Sequence, residues 1–189
     1  GKALRDTERG RMAASDVDSH SLPELFSEAF GSSISKETLP VLYNLLQRVR
    51  KTLGKSTAKI KKKFWRMRPY VLYEDATCYP QSEARLSKES SFPSGHSVRG
   101  WGIALLLSEI NPERAVKILE RGFEYGQSRV LCGYHWQSDV DAGRLLASVL
   151  YAGLHANADF QAELAKAKAE YAEWQKQPKS EDAAIPENK

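Results

Sequence analysis

Leu42, Leu45, Leu46, Val49 and Leu53 recur at intervals of three and four, the spacing that lines one face of a helix. The same period returns along most of the chain, and no stretch alternates apolar and polar positions convincingly enough to predict a strand. Ala115, Ile118, Leu119 and Phe123 form a second stripe, Leu145, Leu146, Val149 and Leu150 a third, and Phe160, Leu164 and Tyr171 a fourth. The run from Trp101 to Ile110 is apolar, which predicts a central helix over Ser97 to Glu109.

Gly, Pro and Asn punctuate these stripes. Arg5 to Val17 reads as a first helix, weakened by Gly10. Ser21 is the expected cap of a second, with Pro23 in its first turn and Gly31 as its stop. Thr38 or a neighbour caps a longer helix through Leu53, which Gly54 is expected to end, and a basic helix follows to Arg68. Asn111 and Pro112 open another helix. Ser138 or His135 starts the next, and Asn157 caps the last, Ala158 to Gln175. Tyr70 to Ser91 is the longest segment without periodicity, readable as the rim of a site or as a plain surface connection. The expected fold is all-α, a single-domain helical bundle over residues 1–177, with a polar, disordered tail over 178–189.

Composition narrows the class. Apolar content of 41% and charged content of 28% suit a globular domain, and 189 residues suffice for one core. The strongest apolar runs, Gly102–Leu107 and Leu145–Leu154, fall well short of the ~20 residues that cross a bilayer, so no membrane insertion is expected. A net charge of +4 suits anionic small molecules without demanding nucleic acid. Two cysteines, Cys78 and Cys132, argue against a structural zinc site; they are either a disulfide or two free thiols.

Three stretches carry candidate chemistry. Ser128-Arg-Val-Leu-Cys-Gly-Tyr-His-Trp-Gln-Ser-Asp139 sets His135 and Asp139 four apart. A carboxylate at that spacing can hold one imidazole nitrogen as N–H and leave the other as a nucleophilic lone pair. Arg129 adds a guanidinium fork suited to phosphate oxygens. Ser91-Phe-Pro-Ser-Gly-His96 offers the Ser94 hydroxyl, the Gly95 N–H and the His96 imidazole at the mouth of a helix N-terminus, where anions are favoured. Lys61-Lys-Lys-Phe-Trp-Arg-Met-Arg-Pro69 holds Lys61 and Arg68 seven apart, two turns along a helix and so on one face. Each stretch has a plainer reading: a structural hydrogen bond, a capped turn, a solvated basic face.

In order, the three read Lys-x6-Arg-Pro, Pro-Ser-Gly-His and Ser-Arg-x5-His-x3-Asp. This resembles the three-part signature of the type 2 phosphatidic acid phosphatase superfamily, which also contains the vanadium haloperoxidases. Thr7-Glu-Arg-Gly-Arg11, Ala29-Phe-Gly31, Glu109-Ile-Asn-Pro112, Gly126 to Arg144 and Ala165-Lys-Ala-Lys-Ala-Glu170 are similar to the bacterial class A non-specific acid phosphatases, a likeness running from about Leu4 to about Gln175. The resemblance implies a metal-independent phosphomonoesterase with no cofactor and an active site at helix ends. His135 would be the nucleophile, Asp139 its orienting carboxylate and His96 the general acid and base. Lys61, Arg68, Ser94, Gly95 and Arg129 would hold the phosphate.

Small phosphomonoesters and inorganic phosphate are the implied ligands, vanadate an implied inhibitor, and transfer to alcohols a second outcome of the same intermediate. His96 beside bound phosphate is expected to stay protonated in the acid range. A periplasmic location is implied, although no leader is legible at Gly1-Lys-Ala-Leu-Arg5; relatives associate, which leaves a homo-oligomer open. A vanadate-dependent haloperoxidase is the alternative activity. Ser90 and Phe92 depart from the Gly and Tyr of many class A members, which touches the rim and not the signature.

Overall fold

The computed structural model describes residues 2–18 and 22–178; the expected Ser21 cap, His20 and nearly all of the polar tail lie outside them. Among the described residues nine α-helices run in order: α1 (Glu8–Asp18), α2 (Ser27–Phe30), α3 (Pro40–Lys63), α4 (Pro69–Leu72), α5 (Glu83–Leu86), α6 (Gly95–Ile110), α7 (Ala115–Leu131), α8 (Gln137–Leu154) and α9 (Ala158–Lys176). Short 3₁₀ turns link several of them, and no strand occurs among the described residues. The all-α expectation holds.

Helix α6 is the central element, packed between α7, α8 and α3. It can take that place because Val98, Ile103, Ala104, Leu106 and Leu107 present apolar surface on several sides, and all five are fully buried. Around it, Leu42, Leu45, Leu46, Val49 and Leu53 of α3 and Leu164 and Tyr171 of α9 complete one core. Asn157 caps α9 as expected, its Oδ1 accepting the Phe160 N–H at 2.9 Å.

Three expectations are corrected. Gly54 does not end a helix: α3 runs on to Lys63 without a break. A mid-helix glycine costs only about 1 kcal/mol, and the Arg99 side chain lies where a Cβ at Gly54 would stand, 3.3 Å away. The basic helix to Arg68 is also absent. Phe64 to Arg68 is non-helical, and at its end Arg68 takes φ −78° and ψ 149°, because a residue before proline is pushed out of the helical region. Finally, Leu145 and Val149 point outward, 69% and 62% exposed, and Phe123 is half-exposed beneath the Arg144 guanidinium. The small and medium residues Val140, Gly143 and Ala147 form the inner face of α8 instead. A Cβ at Gly143 would stand 2.8 Å from the Ser94 carbonyl oxygen, so only glycine lets α8 approach the start of α6 this closely.

The segment between Tyr70 and Ser91 is not one irregular loop. It contains α4, a 3₁₀ turn and α5, and Cys78 is joined by a disulfide to Cys132, just after α7. The bond closes 54 residues of sequence separation. By chain entropy this is worth about 4 kcal/mol. Cys132→Ser is therefore expected to lower the thermal midpoint by roughly 10 °C, and wild type in reductant should match it. An unchanged midpoint in both would show that the bridge adds nothing to stability.

Candidate active site

Four helix ends meet around one cleft of about 260 Å³, bordered by Lys61, Arg68, Gly95, His96, Arg129 and His135. Lys61 lies in the last turn of α3 and Arg129 in the last turn of α7. Gly95 opens α6, with His96 next to it. Four-helix convergence thus replaces the single helical face expected for Lys61 and Arg68. The two cations meet through a backbone anchor: the Ser90 carbonyl accepts from Lys61 Nζ at 2.6 Å and from Arg68 Nη2 at 3.3 Å.

His135 arrives by a tight reversal. Helix α7 ends at Leu131, Gly133 adopts φ +80°, which suits only glycine without strain, and the Tyr70 N–H bonds to its carbonyl at 3.1 Å. Helix α8 starts at Gln137, between the two expected starts, so His135 precedes the helix and Asp139 sits in its first turn. The Asp139 Oδ2 accepts the Trp136 N–H at 2.9 Å and lies 3.4 Å from His135 Nδ1, near but off the line of a full hydrogen bond. Arg68 Nη1 stands 3.2 Å from His135 Nε2. A guanidinium can only donate, so Nε2 is an acceptor and the proton of neutral His135 is on Nδ1, facing Asp139.

Asp139 is fully buried, and burial alone would raise its pKa. The nearby His135 N–H and the hydrogen bond from the Trp136 N–H, with the charge of Arg66, overcome that and hold the carboxyl below its ordinary value. Arg66 donates to Asp139 Oδ1 at 2.8 Å and to Ser138 Oγ at 2.7 Å, with its guanidinium over the Trp136 ring. Sequence reasoning placed Arg66 in an anonymous basic cluster. Its role depends on the extended run before Pro69, which carries it to the far side of Asp139.

The phosphate-holding candidates are placed unequally. Arg129 is 1% exposed, stacked 4.4 Å from the Tyr134 ring centre, and its buried Nε and Nη1 have no hydrogen-bond partner among the described residues. Buried donors are nearly always paired, so the cleft is shaped for an acceptor that these atoms can reach. Gly95 leaves the space of a Cβ open 3.6 Å from Thr57 Oγ1, and its N–H is one that a helix start cannot pair internally. Ser94 lies behind the cleft: its Oγ accepts from Ser97 N–H at 3.3 Å and from Ser97 Oγ at 2.9 Å, capping α6. Ser128 faces away too, bonding Asp16 Oδ2 at 2.5 Å to fix α1 against α7. The departing rim residues knit the wall: Ser90 Oγ accepts from the N–H groups of Arg66 and Phe92, and Phe92 packs edge-on to Phe64.

Charge in the cleft is strongly positive. Burial, then Arg68, lowers Lys61 to about 8, and burial lowers Arg129 to about 10, so both stay cationic in acid. Burial pushes His135 down to about 3, and burial with Arg129 and Arg99 holds His96 well below its ordinary value. Both imidazoles are neutral in the ligand-free protein. The unfolded chain takes up protons at these positions below about pH 6.5, and the folded chain does not. The contribution of His135 to stability is thus complete above pH 6.5 and is lost as pH falls toward 3, and His96 acts in the same direction. Thermal midpoints in phosphate-free buffer should fall between pH 6.5 and 4, less steeply for His135→Asn than for wild type. Parallel curves would contradict neutral burial of this histidine.

The PAP2 superfamily profile matches residues 42–161. A non-specific acid phosphatase of Providencia stuartii is 50% identical over 93% of this chain and 72% of its own length. One of Salmonella typhi is 43% identical over 90% and 69%, and an acid phosphatase of Zymomonas mobilis is 37% identical over 89% and 65%. With the signature residues gathered in one cationic cleft and this likeness along nearly the whole chain, the chain belongs to the PAP2 superfamily, among its acid phosphatases.

Proposed function

We propose that this phosphatase hydrolyses a broad range of phosphate monoesters through a phosphohistidine at His135. The observation that carries the reading is the pairing of a neutral, Nδ1-protonated His135 with a buried Arg129 whose donors await an acceptor. Below about pH 6 a phosphate monoester is a monoanion. On entering the cleft its remaining proton passes to His96, which the charge of the resulting dianion then keeps protonated against the surrounding cations. His135 Nε2 forms a bond to phosphorus while the ester O–P bond breaks, and His96 gives its proton to the departing alkoxide. Asp139 stabilises the positive charge that develops on His135. Water then attacks phosphorus, the N–P bond breaks, and His96 takes the water's proton. An alcohol in place of water gives phosphotransfer.

Lys61, Arg68, Arg129 and the Gly95 N–H neutralise the non-bridging oxygens, which is where most catalysis of phosphoryl transfer arises. The Ser94 hydroxyl supports them from behind, by setting the start of α6. The small phosphate-sized cleft favours small esters over nucleic acid, and a periplasmic site of action belongs to this reading. The test is p-nitrophenyl phosphate hydrolysis against pH with excess chelator, with and without orthovanadate. The expected rate peaks in acid, survives chelation and is inhibited by vanadate, which can become five-coordinate at His135. A rate that needs added metal would overturn the mechanism.

A further inference from the structure

A second cationic groove, about 450 Å³, lies beside the catalytic cleft and shares the Arg99 side chain with it. Gln47, Arg50, Lys51, Gly54, Lys55 and Arg99 line it, four cations and no acid. None of the four has a carboxylate partner among the described residues: Arg50 bonds only to Gln47 Oε1 at 3.5 Å, and Arg99 Nη2 approaches only His96 Nδ1 at 3.4 Å. Arg99 borders both cavities. Burial and the neighbouring Arg50 disfavour its charge, with Tyr125 opposing them. Like charges gathered without counter-ions repel, and a groove so lined concentrates anions.

The groove and the cleft lie on one track. On α3, Gln47, Arg50, Gly54, Ala58 and Lys61 follow each other at helical spacing, and Ala58 and Lys61 border the catalytic cleft. From Gly54 to Lys61 is seven residues, about 11 Å of helix rise. A ligand with its phosphoryl group at His135 would therefore place a second anionic group, carried on a spacer of roughly that length, among Arg50, Lys51 and Arg99.

We propose that this groove is a second phosphate subsite, and that the enzyme prefers small phosphomonoesters bearing another phosphate at their far end. The proposal rests on the phosphomonoesterase reading for its first phosphate. Two measurements separate the two ideas. The first compares kcat/KM for hexane-1,6-diol bisphosphate and for hexyl phosphate. The symmetric bisphosphate has a twofold statistical advantage alone; the expected ratio is at least tenfold at low salt and shrinks as ionic strength rises. In Arg50→Gln/Lys51→Gln the ratio should collapse toward two, chiefly through KM. A wild-type ratio near two, or one that the double substitution leaves unchanged, overturns the subsite.

The second measurement is calorimetric binding of the same bisphosphate to a His135→Ala background, where turnover is removed. Adding Arg50→Gln/Lys51→Gln should weaken binding at least fivefold, while hexyl phosphate binding stays within twofold. Equal binding of the bisphosphate with and without the two substitutions overturns the proposal even if catalysis follows another route. Failure to hydrolyse either ester, with the binding difference intact, would sink the phosphatase mechanism and leave the subsite standing.

Discussion

His135→Ala is expected to reduce kcat for p-nitrophenyl phosphate by at least about 10⁴-fold, because the covalent route disappears with the nucleophile. The loss should appear with good and poor leaving groups alike. The fold should survive: His135 lies in the short reversal between α7 and α8, and the backbone bonds from the Tyr134 and His135 N–H groups to the Arg129 carbonyl do not involve its side chain. An equal thermal midpoint with the lost rate would place the defect in chemistry. Persistence of substantial rate would mean that water attacks the ester directly in this cleft.

Replacing the other imidazole should give a different pattern. His96 stands at the start of α6, on the side of the cleft shared with Arg99, and makes no contact with Asp139 that would allow it to serve as nucleophile. His96→Asn removes the proton donor, an effect of about 10²–10⁴ for general acid catalysis. The cost should fall on alkyl phosphates, whose alkoxides need a proton as they depart. p-Nitrophenyl phosphate, whose phenolate leaves unassisted, should lose far less in its first step and release a burst of p-nitrophenol before slow hydrolysis of the intermediate. Equal losses on both esters would remove His96 from proton transfer and leave it an electrostatic role. Phosphate binding should also be accompanied by net proton uptake at pH 7, since a dianion raises the depressed pKa of His96. The expectation that this histidine is protonated in the acid range therefore belongs to the complex, and in the free protein it is neutral.

Much of this was legible in residue order, and for identifiable reasons. Helical stripes depend on local spacing, so α6, α7 and α9 could be read with small errors at the ends, and the first half of α3 from Leu42 to Leu53. The errors came where tertiary contacts outweigh local preference. Arg99 covers Gly54 and α3 continues; small Gly143 and Ala147 bring α8 inward and turn Leu145 and Val149 to the surface. Pro69 is a readable stop, but the chain leaves the helix well before it, after Lys63, and this freed run is what lets Arg66 reach Asp139.

The site's membership was visible because its side chains are chemically distinctive and ordered. Its supports were not. The Ser90 carbonyl that gathers Lys61 and Arg68 is a backbone atom with no residue signature, and any residue could supply it. The Cys78–Cys132 bond depends on two segments meeting, which spacing alone does not decide. Arg50, Lys51 and Lys55 carry no motif, and the groove they line exists only where Arg99 of α6 joins them from across the interface.

The central claim is the covalent bond between phosphorus and His135 Nε2. Its most direct test is rapid quenching of His96→Asn during p-nitrophenyl phosphate turnover, followed by peptide mass spectrometry. The acid donor is not needed for that leaving group, while the missing base slows hydrolysis, so the intermediate should accumulate. One phosphoryl group on the peptide containing His135, labile to acid and stable to alkali, is the predicted result. Absence of any phosphopeptide under burst conditions, or a phosphoryl group on another residue, would contradict it.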